Sequence, residues 1–123
     1  MPVQTIFSRQ SKPGGNIVII SLSGRFVGKE SEDFIKEVDG YMAAVQTNQP
    51  DDGTGLAGRL IIDLANLEYI SSRGAGALFT LTSNYQVKIV NISPLIRNTF
   101  SLLQLDQLFE IYSSREEALK TYF

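Results

Sequence analysis

A chain of 123 residues, 43% hydrophobic and 20% charged with a formal net charge of −2, is sized for one domain that buries its own core. Its eleven lysines and arginines are scattered rather than gathered into a basic face, which argues against direct binding of nucleic acid. With no cysteine there are no disulfides, thiolates or Cys-based metal sites, and with no histidine there are no Ser-His triads and no His-ligated zinc.

The first residues lack the basic and apolar regions of a signal peptide, and no apolar run approaches the ~20 residues that a spanning helix needs. The expectation is a cytoplasmic protein occupying residues 1–123 as a single domain, without membrane insertion.

Val3 to Ser8 reads as an edge strand, with Val3, Thr5 and Phe7 on one face and Ile6 on the other. Lys12-Pro13-Gly14-Gly15-Asn16 is a dense turn signal, and the β-branched run Ile17 to Leu22 follows it, so a hairpin leads into a buried strand. The chain is expected to turn between Gly24 and Gly28. Phe34, Ile35, Val38, Tyr41, Met42 and Val45 then recur at helical spacing, with Ser31 as the expected N-cap. Gly40 lies inside that helix at a cost of roughly 1 kcal/mol against alanine. Gln46 to Gly58 is a polar loop.

Leu60-Ile61-Ile62-Asp63-Leu64 is apolar on both faces and belongs near the middle of a sheet. A polar passage leads to a helix over Gly74 to Ser83. Val87 to Ile92 makes another strand, and Ser93-Pro94 supplies an N-cap and a proline suited to the first helical position. Ile96, Phe100 and Leu103 give the next helix its core stripe. A short strand over Phe109 to Tyr112 and a capping box at Ser114-Arg115-Glu116-Glu117 open a last helix with Leu119 and Tyr122. The order is β-β-α-β-α-β-α-β-α, an α/β fold whose mostly parallel sheet carries flanking helices and an antiparallel first strand at one edge.

The chemistry concentrates between Leu60 and Phe79. Ser71-Ser72-Arg73-Gly74 stands where a strand has ended and a helix begins, and a helix N-terminus offers free N–H groups and partial positive charge to an anion. Taken alone, a serine there is an N-cap. Gly74 and Gly76 add room for a partner's backbone or for phosphate oxygens, Arg73 can pair with a phosphate, and loops at the carboxyl ends of parallel strands are where ligands bind. These residues predict a phosphorylation switch at Ser72. Phosphorylation adds about −1.5 to −2 charges and three strong acceptors, and like-charge juxtaposition of several kcal/mol releases a docked partner.

Asp63, at the end of the expected strand, reads as an acceptor that orders the loop or as a partner contact. Glu30, Glu32 and Asp33 suit the dipole at the start of the first helix. Gly53-Thr54-Gly55-Leu56-Ala57-Gly58 has the letters of a dinucleotide motif but precedes a strand, so it reads as a flexible loop. Asn91-Ile92-Ser93 is a formal glycosylation sequon, but it is followed by Pro94 and lies in a strand of a cytoplasmic protein. No Walker sequence, G-x-S-x-G elbow or His-Glu metal motif occurs, so no catalytic residue, metal or cofactor is expected.

The chain resembles the STAS domains of bacterial anti-sigma-factor antagonists. The resemblance is carried by the Leu60 to Leu64 strand, by Tyr69 to Leu78, and by Val90 to Phe100 with Leu102 to Phe109 downstream. It implies a four- to five-stranded STAS-like sheet. It also implies phosphorylation at the position of Ser72 by a partner that is both serine kinase and anti-sigma factor, with a serine phosphatase restoring the free form. Two places depart from the family pattern. Ser71 and Arg73 stand where that family has an aspartate and a second serine, which makes Ser71 a rival acceptor, and Gly24-Arg25-Phe26-Val27 replaces an acidic turn. The expected partner-binding residues are Asp63, Ser71, Ser72, Arg73, Gly74 and Gly76. STAS domains also resemble accessory modules of transporters, which gives the alternative of an unphosphorylated module in a transporter or another signalling complex. A monomer or weak dimer is expected, and an enzyme is not.

Overall fold

The computed structural model describes residues 4–12, 15–45 and 58–121. Its elements run β1 (Gln4–Lys12), β2 (Gly15–Phe26), α1 (Gly28–Val45), β3 (Arg59–Ile70), α2 (Ser72–Leu81), β4 (Gln86–Val90), α3 (Pro94–Leu102), β5 (Glu110–Tyr112) and α4 (Arg115–Lys120). The five strands lie in chain order, β1-β2-β3-β4-β5, with β1 antiparallel to β2 and every later pair parallel. The expected α/β architecture, its antiparallel edge strand and its central Leu60 to Leu64 segment are all present.

Alternation along the strands divides the core into two layers. Val18, Ile20 and Leu22 of β2, Leu60, Ile62 and Leu64 of β3, and Val87 and Ile89 of β4 face one side. There they meet Phe34, Val38 and Met42 of α1, Ala75, Leu78 and Leu81 of α2, and Ile96 and Phe100 of α3. Ile17, Ile19, Ile61 and Val90 face the other side, beneath Ala118 of α4. Leu103, expected to extend the α3 stripe, is 38% exposed, because the helix ends at Leu102.

Element boundaries differ from the sequence expectation in an informative way. β2 continues to Phe26 and β3 to Ile70, where turns and a loop were expected. Beyond Asp63 β4 no longer accompanies β3, because the last pairing between them is Asp63 with Val90. The two longer strands go on as a ribbon that pairs Ser23 with Asn66, Arg25 with Tyr69 and Phe26 with Ile70. Ala65, Asn66, Glu68 and Tyr69 of this ribbon are exposed and only Leu67 between them is buried, so Ala65-Asn66-Leu67-Glu68-Tyr69 lacks an apolar strand signature. Register shifts at Ser21/Ser23 and Gly24/Arg25 twist the ribbon, and Gly24 takes φ 86° there. Likewise α1 starts at Gly28, so Ser31 is a buried residue of its first turn and donates to the Gly28 carbonyl at 2.5 Å instead of capping the helix. β4 stops at Val90 because Asn91 turns left-handed with φ 57°. Ser93 and Ser114 cap α3 and α4 as expected. Most of the Gln46 to Gly58 loop, including the glycine motif up to Ala57, lies outside the described residues, as do Val3, Pro13-Gly14 and Tyr122.

Polar contacts on both faces of the sheet tie the layers together. Asp63, 5% exposed, accepts from Arg115 Nε at 2.7 Å, Asn91 Nδ2 at 3.2 Å and the Ala65 N–H at 2.9 Å, which fixes the start of α4 on the sheet. On the other layer the Tyr85 hydroxyl donates to Asp39 Oδ1 at 2.6 Å, joining the chain just before β4 to α1.

Replacing Asp63 with alanine leaves the Asn91 amide and the Ala65 N–H without their acceptor, so chemical denaturation should register a loss of about 1–3 kcal/mol. Hydrogen exchange should accelerate in α4 more than in α1. Burial, reinforced by Asp39, pushes the Tyr85 pKa well above its ordinary value of 10.0. The stability this confers is complete below pH 10 and is lost as pH rises from there toward the folded-state pKa, because the unfolded chain ionises first. Tyr85→Phe should remove that component of alkaline destabilisation, measured as the slope of unfolding free energy against pH above 10.

Candidate functional site

The start of α2 is built onto the end of the ribbon. The Ser71 N–H donates to the Phe26 carbonyl at 3.1 Å, closing the β2–β3 ladder. Ser71 keeps extended backbone angles, φ −83° and ψ 168°. Its Oγ accepts from the Gly74 N–H at 3.0 Å and its carbonyl accepts from the Ala75 N–H at 2.9 Å. Ser71 is therefore the N-cap.

Gly74 makes this junction possible. A Cβ at Gly74 would lie 2.5 Å from the Phe26 carbonyl oxygen and 2.8 Å from Phe26 Cδ2, so no side chain fits. Phe26 is itself fully buried, edge-to-face with Phe34 of α1 at 5.1 Å. The room expected at Gly74 for a partner is thus taken up inside the molecule. A Cβ on Gly76, one half-turn on, would meet nothing within 4 Å, and Gly76 lies on the exposed face of α2.

With capping assigned to Ser71, Ser72 is the first helical residue and is exposed. Its hydroxyl has no hydrogen-bond partner among the described residues, and the N–H groups of Ser72 and Arg73 precede the first intrahelical bond. Arg73 reaches across to α1, where its Nη2 lies 3.4 Å from Glu32 Oε1, both side chains being well exposed. Of the acidic group at the start of α1, Glu32 therefore serves as a bridge between helices as well as a dipole partner. Arg25 stacks over the Tyr69 ring at 4.6 Å on the adjoining ribbon. Farther along α2, Phe79 is 40% exposed and packs edge-to-face on Phe109 at 6.2 Å. The placing of Arg25 against Tyr69 and of Phe79 against Phe109 was not legible in the sequence, since only the β2–β3 register and the packing of α2 decide it.

Asp63 is not part of this cluster. The sequence reading ended the strand at Leu64, close to the loop, but β3 runs on, and Ile70 lies seven residues past Asp63. At about 3.3 Å per residue the separation is on the order of 20 Å. The carboxylate, moreover, faces α4 and is engaged by Arg115.

One cavity of about 240 Å³ lies against Thr5, Glu30, Asp33, Phe34 and Glu37, and another of about 590 Å³ lies along Leu103 to Leu108, and neither includes a residue of α2. No cluster of three or more carboxylates disposed to hold a metal occurs among the described residues. Among the described residues no base contacts the Ser72 hydroxyl.

Residues 10–118 match the model of the STAS domain family. The chain belongs to that family. No curated protein matches it in sequence. Among solved structures, this STAS domain is similar to an anti-sigma factor antagonist from Mycobacterium paratuberculosis, with a TM-score of 0.65 and 21% identity over 97% of this chain and 92% of the other. It is similar also to the anti-sigma factor antagonist SpoIIAA in its unphosphorylated form, with a TM-score of 0.63 and 18% identity over 95% and 96% of the two chains. The phosphorylated form of that Bacillus protein matches with a TM-score of 0.57 and 18% identity over 96% and 100%. A third relative is the murine anion transporter Slc26a9, with a TM-score of 0.67 and 19% identity over 87% of this chain but 18% of the transporter. At these identities the likeness establishes the fold.

The packing at the junction separates the two glycines. Gly74→Ala should lower stability by at least the 1–3 kcal/mol typical of an overpacked site, whereas Gly76→Ala, in open space and in a helix, should be neutral or stabilising by thermal melt.

Proposed function

We propose that this STAS domain is a cytoplasmic anti-sigma-factor antagonist, a non-catalytic partner-switching protein controlled at Ser72. In the unmodified form the surface around Ser71, Ser72, Arg73 and Gly76, extended by Tyr69 and Phe79, docks onto an anti-sigma factor that is also a serine kinase. Phosphoryl transfer to Ser72 ends that association, and a serine phosphatase restores it. Gly74 contributes by letting α2 sit close to the ribbon, and Asp63 contributes at a distance through α4.

The observation that carries this reading is the division of labour between neighbouring serines. Ser71 spends its hydroxyl on the Gly74 N–H, so modifying it would cost the helix its cap, worth about 1 kcal/mol. Ser72 is exposed and uncommitted at the positive end of α2, where a phosphate gains from the helix dipole. A dianion in the middle of a docking surface opposes any acidic or apolar partner face by several kcal/mol, which is a loss of more than a hundredfold in affinity at about 1.4 kcal/mol per decade. Structural likeness to SpoIIAA in both phosphorylation states supports the same direction.

The transporter likeness supports a second reading, in which the same face of α2 contacts other parts of a transport complex and Ser72 stays unmodified. One experiment separates the two. Incubated with its cognate kinase and ATP, the protein should gain one phosphate. Ser72→Ala should abolish it, and Ser71→Ala should lower stability while leaving the label in place. Phosphate retained by Ser72→Ala, or lost only with Ser71→Ala, would overturn the assignment. The absence of any label, with a transporter subunit recovered in pulldown, would favour the second reading.

A further inference from the structure

The ion pair beside Ser72 has the properties of an exchangeable contact. Arg73 and Glu32 belong to different helices, their charged atoms are 3.4 Å apart, and their side chains are 70% and 62% exposed. A single long contact at that exposure contributes little and is easily given up. A phosphoserine at position 72 would bring nearly twice the charge of a carboxylate, with three acceptor oxygens, onto the residue next to Arg73, and guanidinium binds phosphate in a bidentate fork stronger than a single carboxylate contact. The same group would repel Glu32.

Resting on the reading of Ser72 as the modified residue, we infer that Arg73 is the counter-ion of the phosphate, drawn from Glu32 to Ser72 when the phosphate forms. Transfer makes the bond from Ser72 Oγ to phosphorus as the bond from the γ-phosphorus to ADP breaks, and the hydroxyl proton leaves to a base of the kinase. The net charge change at the surface is that of the phosphate, but its distribution over α1 and α2 changes. Arg73 exchanges one anion for another, and Glu32 is left without its guanidinium at the head of α1. The other charged side chains on the end of the ribbon and the first turn of α1 are Arg25, Lys29 and Glu30. Arg25 is held over the Tyr69 ring, and Lys29 and Glu30 precede Glu32 on the same helix.

The test reads the phosphate itself. Phosphoserine is placed at position 72 during translation, so that the result is independent of any kinase, and its second ionisation is followed by phosphorus NMR against pH. The midpoint should lie below the ordinary value of about 6. Arg73→Ala should raise it by roughly 0.3 to 0.7 pH units, the size expected of an exposed ion pair, and Arg73→Lys should raise it less. Glu32→Gln should lower it, because the competitor for Arg73 is gone. At about 1 M salt the differences should shrink. An Arg73→Ala midpoint indistinguishable from the parent, or a Glu32→Gln midpoint shifted upward, would overturn the inference. Failure of the kinase labelling with these shifts intact would instead count against Ser72 as the natural acceptor.

Discussion

The contact on which the site depends is that between the Phe26 carbonyl and the start of α2. That oxygen accepts the Ser71 N–H at 3.1 Å and sits where a Cβ on Gly74 would otherwise be. It thereby sets both the end of the β2–β3 ribbon and the approach of the helix. Phe26 is locked from below by Phe34, so the position of α2 is referred to α1 and to the larger core layer rather than to a loose surface loop. The proposed docking surface, carried on this junction, has little conformational freedom left to lose on binding.

Around that junction, hydrogen bonding assigns two adjacent serines to different work. The cap needs one extended residue with an acceptor side chain, and Ser71 supplies it. Ser72 is then the first helical residue, and it is exposed. The polar surroundings follow from neighbouring elements: Arg73 toward Glu32 on α1, and Arg25 against Tyr69 on the ribbon. Apolar surface at Phe79 completes a face of mixed character, with aromatic and arginine side chains of the kinds enriched where proteins dock.

The opposite layer of the sheet is smaller and depends more on polar anchoring. Ile17, Ile19, Ile61, Val90 and Ala118 form a modest cluster under a six-residue helix. Asp63 with Arg115 holds the start of that helix, and Lys88 with Thr121 and Tyr112 holds its far end. Burial lowers the Lys88 pKa, against the opposing pull of Glu110. These charges belong to the architecture of the α4 layer, which is why Asp63 faces away from the surface that carries Ser72.

Much of this protein was decided by its sequence alone. Strand and helix order, the antiparallel edge, the central LIIDL strand and the caps at Ser93 and Ser114 are local signals of period, branching and hydrogen-bonding side chains, and such signals act over a few residues. The position of Ser72 at a helix start was legible for the same reason. Tertiary structure decided what local signals do not carry. Whether Ala65 to Tyr69 is loop or ribbon depends on a β2 partner over forty residues away. That Gly74 is needed inside rather than outside depends on where Phe26 lies, and that Asp63 serves α4 rather than α2 depends on how far β3 continues. The pairing of Arg73 with Glu32, separated by 41 residues, exists only because α1 and α2 pack on the same face of the sheet.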